Sequence, residues 1–404
     1  MEGLTDPTGA DLATRLVHHP YRAPTDFDAA PVGVYKASTV FFPNVAAMRS
    51  RDWKNKSAYT YGLHGTPTTF TLEERLATLE GGRHALLAPS GLSALALVDM
   101  AFLQQGDEVL MPDNAYGPGL AFARAEMAAW GVHTAVYNPM DPADLADRLS
   151  PQTRLVWLEA AGSVTLEYPD LPALVAVVRA ANTARDTGAR PVLTALDNTW
   201  GAGVAFQPFE LGVDVSVQAL TKYPSGGADV LMGSVVTQNP ALHQQLLLTH
   251  MRLGLGVGGN DAELVLRGLP SLALRYHAQD RSTRELATWM AGQPLVAKVL
   301  HPALPDSPGH AVWRRDAKAA ACLLGVVFQP EVTAEQVERF CDALRVFRLG
   351  YSWAGPVSLC VPYDVASMRT QPWPHNPHLV RLAVGLEAVE DLQADLAQAL
   401  ATIA

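Results

Sequence analysis

Between residues 65 and 260, short apolar runs recur at intervals, separated by stretches with helical spacing. They are Ala85-Leu86-Leu87, Glu108-Val109-Leu110-Met111, Thr134-Ala135-Val136-Tyr137, Leu155-Val156-Trp157-Leu158, Val192-Leu193-Thr194-Ala195-Leu196, Val213-Asp214-Val215-Ser216-Val217 and Ser234-Val235-Val236. Unbroken apolar runs between helical patterns read as strands buried on both faces, so an α/β fold with a seven-stranded, doubly wound, mainly parallel sheet is predicted. Beyond about residue 261 the pattern changes to helical hairpins and a few strands. It ends in an amphipathic tail from Leu386 through Glu390, Leu392 and Leu396 to Leu400, which predicts a smaller α+β domain closed by a C-terminal helix. Residues 1–64 mix Pro, Gly and aromatics without a sustained period and read as an extended arm that must pack on something else. The predicted organisation is therefore an arm over 1–64, an α/β domain over 65–261 and an α+β domain over 262–404, with no internal repeat.

At 404 residues and 49% hydrophobic content, the chain exceeds one ordinary core, in keeping with two domains. A formal charge of −10 without any basic run argues against nucleic acid or an anionic membrane as partner. No uncharged apolar stretch approaches the ~18 residues of a membrane span. The first residues, Met1-Glu2-Gly3-Leu4-Thr5-Asp6, carry acid where a signal peptide needs base, so a soluble cytoplasmic protein is expected. Three cysteines, Cys322, Cys341 and Cys360, lack zinc-like spacing; plain buried thiols and no metal site are expected.

Open α/β sheets place ligands at the carboxyl ends of strands, and several of the apolar runs end in polar turns. Gly254-Leu255-Gly256-Val257-Gly258-Gly259 satisfies a dinucleotide pattern, but it follows a helix-like segment rather than a strand and reads as a glycine-rich interdomain turn. Asp197, directly after an apolar run, is a turn residue or a functional carboxylate. Lys222 follows another run and is either a solvated charge or a buried amine. Ser90 of Pro89-Ser90-Gly91-Leu92 is a helix N-cap, or part of a turn whose amides receive a phosphate. Tyr116, after a further run, covers core or stacks on a planar ligand. Each is ambiguous alone. Together they supply the parts of one pyridoxal 5'-phosphate (PLP) site: an amine for a Schiff base in Lys222, an acid for the pyridine nitrogen in Asp197, a phosphate cup in the Gly91 and Leu92 amides with Thr221, and a stacking ring in Tyr116.

With these residues in view, the chain resembles the cystathionine β-lyase branch of the Cys/Met-metabolism PLP-dependent enzymes, of fold type I. The shared motifs are Tyr59-Thr60-Tyr61-Gly62, Pro89-Ser90-Gly91, Asn114-Ala115-Tyr116, Leu196-Asp197-Asn198-Thr199-Trp200 and the run Ala219-Leu220-Thr221-Lys222-Tyr223. Glu159-Ala160-Ala161-Gly162-Ser163-Val164-Thr165-Leu166-Glu167 and Tyr351-Ser352-Trp353 resemble the bacterial β-lyases in particular. The resemblance implies a homotetramer built as a dimer of dimers, with Tyr61 reaching into the neighbouring subunit's site. It also implies catalytic roles for Lys222, Tyr116 and Tyr61, with Ala219 among the cofactor contacts. Substrate contacts are implied at Arg381, Tyr351, Ser352 and Trp353, Arg381 gripping the α-carboxylate with its bidentate fork. Departures from the family pattern are equally specific. Leu63 stands where an arginine usually meets the phosphate, beside His64, which is placed to compensate or to contact the substrate's far end. Ala121 replaces an acid associated with cystathionine's distal amino group.

The implied activity is β-elimination of cystathionine, or of a related cysteine S-conjugate, to thiol, pyruvate and ammonia. Two other functions compete with it: a cysteine desulfhydrase or γ-acting enzyme of the same cofactor class, and a non-catalytic binding or regulatory protein that keeps the fold.

Overall fold

All seven apolar runs form strands in the computed structural model, which describes residues 29–404. They are β1 (His84–Ala88), β2 (Glu108–Pro112), β3 (His133–Tyr137), β4 (Thr153–Glu159), β5 (Leu193–Asp197), β6 (Val215–Ala219) and β7 (Gly233–Thr237). They join in the order β1-β7-β6-β5-β4-β2-β3. Pairing is parallel from β3 to β6, and β7 runs antiparallel to both of its neighbours. Successive residues of one strand enter cores on opposite faces. Leu86 packs with Leu97, Val98 and Val217, whereas Leu87 packs with Leu72, Leu76 and Val236. Burial on both sides is why these strands lack polar alternation.

One strand is displaced from its predicted position. The run beginning at Val213 enters the sheet only at Val215, because the Asp214 carboxylate accepts the amide and hydroxyl of Thr194 and so occupies the strand's approach. Two further corrections concern the C-terminal half. The boundary expected at residue 261 falls inside the helix Gly259–Gly268, which buries Ala262, Val265 and Leu266 against Leu72 and Leu76. The tail helix starts at Val389 rather than Leu386. Leu386 is exposed, its amide donating to Pro356 O, while Leu392, Leu396 and Leu400 form the buried stripe.

The second sheet has β8 (Val296–Leu300), β9 (Leu323–Phe328), β10 (Arg348–Leu349), β11 (Leu359–Asp364) and β12 (His378–Ala383), in the order β10-β11-β12-β9-β8. The tail helix and Leu286 and Met290 of the helix Leu272–Ala291 share a core with Leu324, Val326 and Phe328 of β9. All three cysteines are buried and free, as expected.

The glycine-rich segment is a turn between helices: Gly254 ends the helix Pro240–Leu253 at φ 67° and Gly259 opens the next. Of the arm, residues 29–64 are described. Gly33 O accepts from the Thr68 hydroxyl, whose oxygen accepts from the Tyr35 amide. The short helix Val45–Arg49 buries none of its residues. No helix among the described residues is long and apolar enough to cross a membrane.

Two buried carboxyls brace the large sheet. Glu80, ending the helix Pro67–Glu80, accepts from Asn198 Nδ2 at 2.9 Å and also from Ser216 and Gln218, tying that helix to the end of β5 and to β6. Asp99 accepts a hydrogen bond from Trp157 Nε1 at 2.8 Å, and burial raises its pKa to about 7. The folded state therefore holds the Asp99 proton more tightly than the unfolded chain does, so this group's contribution to stability declines as pH rises from near 4 towards 7. Asp99→Asn keeps the acceptor without the charge. Its melting temperature relative to wild type is expected to climb between pH 5 and pH 7 and then level off, by roughly 2–4 °C. A difference independent of pH in calorimetric scans contradicts this account.

Candidate active site

The helix Gly91–Phe102 starts immediately beyond β1, with Ser90 as its N-cap: Ser90 Oγ accepts the Ser93 amide at 3.0 Å. The capping reading of Ser90 therefore holds. It leaves the Gly91 and Leu92 amides without an acceptor among the described residues, at the positive end of a twelve-residue helix suited to an anion. A Cβ on Gly91 would lie 2.7 Å from Ala219 Cβ, so only glycine lets this helix end approach the end of β6.

Strands β4, β5 and β6 finish together. Their register pairs Glu159 with Asp197 and Asp197 with Val217. Asp197 Oδ1 accepts the Thr199 amide at 3.0 Å, and Thr199 Oγ1 accepts the Ala219 amide at 2.9 Å. Thr221 Oγ1 exchanges hydrogen bonds with the backbone of Met232, fixing the turn that carries Lys222. Asp197, Glu159 and Tyr116 line one small cavity.

Lys222 Nζ donates to Ser352 Oγ at 3.1 Å and lies 5.8 Å from the Trp353 ring centre. Burial first, then the Arg381 charge, lower its basicity, and Asp197 opposes both. Asp197 is shifted the other way, mainly by burial, with Thr199 and Lys222 holding it back. Arg381 is 6% exposed. Its Nη1 donates to Ser163 O at 3.2 Å, its guanidinium sits 5.3 Å from the Tyr363 ring centre, and its Nε has no partner. A buried guanidinium with a free donor is suited to an incoming carboxylate.

The structure thus brings Gly91, Ala219, Asp197, Tyr116, Lys222, Ser352, Trp353 and Arg381 to one end of the large sheet. It does not bring Tyr351, Tyr61 or His64 there within the chain. Tyr351 is 83% exposed, while Ser352 and Trp353 turn to Lys222. Tyr61 stands edge-on to His64, and His64 stacks on Trp53 with its Nδ1 2.8 Å from Thr60 Oγ1. With Leu63, His64 lines a separate cleft between the arm and the helices Pro67–Glu80 and Pro240–Leu253. Glu159 and Thr199 escaped the sequence reading as site residues. The signal was available: Glu159 follows the run Leu155–Leu158 as Asp197 follows Val192–Leu196, a carboxylate at a buried strand's end.

The sequence profile of the Cys/Met metabolism PLP-dependent enzymes matches residues 13–401. The chain belongs to that family. It is 36% identical to a cystathionine beta-lyase of Escherichia coli over 95% of this chain and 97% of that one. It is 38% identical to a cystathionine beta-lyase of Bordetella avium over 97% and 98%. A solved cystathionine gamma synthase of Xanthomonas oryzae pv. oryzae, in complex with aminoacrylate and cysteine, superposes with a TM-score of 0.83 at 30% identity, covering 94% of this chain and 96% of that one.

PLP is accordingly the cofactor of this family enzyme, and the chain's residues fit it. The free Gly91 and Leu92 amides suit its phosphate, Asp197 its ring nitrogen and Lys222 its aldehyde carbon. Gly91→Ala would force helix and strand apart. The dissociation constant for PLP, titrated into apoenzyme, is expected to rise about tenfold, or ~1.4 kcal/mol; an unchanged constant rules out the cradle.

Proposed function

We propose that the protein is a carbon-sulfur β-lyase that cleaves cystathionine, or a related cysteine S-conjugate, with water to a thiol, pyruvate and ammonia. The observation that carries this reading is Lys222 Nζ held at 3.1 Å by Ser352 beside the Trp353 ring, the segment by which the sequence resembles the β-lyases.

The division of labour follows from the chain's own groups. Arg381 takes the substrate α-carboxylate through its free Nε and fixes the Cα–H bond relative to Lys222. Lys222, less basic than an ordinary lysine, is placed to remove the Cα proton, with Ser352 Oγ orienting the amine. Bound PLP supplies the electron sink for the charge left at Cα. The phenol of Tyr116, made less acidic first by burial and then by Asp197, keeps its proton at neutral pH. Tyr116 or Lys222 then protonates the departing sulfur.

The same reading includes a homotetramer built as a dimer of dimers, in which Tyr61 and His64 serve a neighbouring subunit's site, and a cytoplasmic location. What supports association is the arm. Phe41 is 92% exposed, and Val34, Tyr35, Val45 and Met48 are also open to solvent, an apolar surface that one chain leaves uncovered. A γ-acting activity is the second reading, favoured by the likeness to the γ-synthase structure.

Purified holoenzyme given L-cystathionine should release pyruvate steadily, and Lys222→Ala should abolish both this and the cofactor's visible band. 2-Ketobutyrate as the main product sinks the β-lyase reading. Arg381→Lys keeps the charge and loses the fork. Its kcat/KM is expected to fall on the order of a hundredfold, ~2.7 kcal/mol, at unchanged PLP affinity. An equal loss of cofactor binding would move Arg381 out of the substrate role.

A further inference from the structure

Glu159 is a half-buried acid that the proposed chemistry does not use. It ends β4 beside Asp197 at the end of β5, and both carboxyls face the small cavity under Tyr116. Glu159 Oε2 accepts the backbone N–H of Tyr116 at 2.8 Å. Tyr116 is the N-cap of the helix Gly117–Phe122, and its own side chain makes no capping bond. The Glu159 carboxyl therefore fixes the residue from which the ring projects. No lysine or arginine pairs with Glu159 among the described residues. Lys222 stands on the far side of Asp197, where it offsets the Asp197 charge.

We propose that Glu159 is a positioning residue for the cofactor site, in which its uncharged carboxyl anchors the Tyr116 backbone so that the ring is held over the cavity floor and Asp197 stands as the one carboxylate opposite Lys222.

Several features of the geometry support the uncharged form. The titratable groups facing Glu159 are Asp197 on β5, Tyr116 on the turn after β2 and Tyr137 on β3, none of them a cation. Burial and the neighbouring Asp197 both push the Glu159 carboxyl well above its ordinary range, and only the Tyr116 amide opposes them. Two adjacent carboxylates lining one small cavity repel when both are ionised, and the acid with Lys222 within reach is the one better able to stay charged. An N–H donor is satisfied by the carbonyl oxygen of a neutral carboxyl as well as by a carboxylate.

The inference rests on Tyr116 lying against the cofactor, and its test reads cofactor binding rather than turnover, so it stands or falls separately from the β-lyase reading. Glu159→Gln keeps the shape and the acceptor and removes the titratable proton; Glu159→Ala removes the acceptor. For each holoenzyme, three quantities are measured: the PLP dissociation constant, the rise in melting temperature from apoenzyme to holoenzyme, and the pH midpoint of the cofactor's visible absorbance. Glu159→Gln should match wild type in all three, within about twofold for the constant. Glu159→Ala should bind PLP about tenfold more weakly and lose much of the cofactor-dependent rise, which a purely structural role would leave intact. The proposal is overturned if Glu159→Gln shifts the absorbance midpoint by a unit or more, since Glu159 is then charged. It is also overturned if Glu159→Ala binds PLP as wild type does. Should Glu159→Ala not fold, the Glu159→Gln midpoint and affinity decide alone.

Discussion

The close approach of Gly91 to Ala219 is the constraint on which the site depends. A methyl group at residue 91 has no room, so the chain there must be glycine for the first long helix after β1 to meet the end of β6. That contact sets the helix's unpaired amides beside the turn carrying Thr221 and Lys222. It also explains the position of β7, which lies between β1 and β6 and holds the helix and the lysine turn at a fixed separation. Glu80 adds a second clamp on the same strands through Asn198, Ser216 and Gln218. The phosphate cup and the reactive amine are thus two products of one packing requirement.

Opposed influences then meet at Lys222. Burial first and the Arg381 charge second lower the amine's basicity, and Asp197 raises it. Asp197 forms no direct ion pair with the amine; among the described residues its one hydrogen bond goes to the neutral hydroxyl of Ser352. An amine held by a neutral acceptor between opposed charges can lose its proton at lower cost than one locked to a carboxylate. Ser352 achieves this from a backbone φ of 117°, a conformation that non-glycine residues adopt only under tertiary restraint. The Trp353 ring on Tyr223 supplies part of that restraint.

The seven strands were legible in the sequence because burial on both faces makes each an unbroken apolar run. Asp197, Tyr116 and Lys222 were legible because strand ends in such a sheet point at its ligand crevice. The misses have equally definite causes. The start of β6 was hidden because Asp214 spends its carboxyl on Thr194, a contact with no local signature. Tyr351 follows the same motif as Ser352 and Trp353, yet its outward direction depends on the unusual backbone at 352. His64 sits three residues from Tyr61, and nothing in that spacing reveals which chain's site it serves. Glu159 carried the same strand-end signal as Asp197 but needed a partner, the Tyr116 amide, that only the fold identifies.

Interposing β7 between β1 and β6 has a consequence for how the chain acquires its fold. His84 of β1 pairs with Thr237, a partner roughly 150 residues further along, and contacts of such separation close late and slowly. The parallel strands β2 to β6 have neighbours nearer in sequence and can assemble before it. The Gly91 end of the site must therefore wait, its apolar strand without a partner on either edge, until β7 arrives to join it to Lys222. Completing the sheet and completing the cofactor pocket are the same event, so PLP meets a finished cradle only once this longest-range pairing in the large sheet has closed.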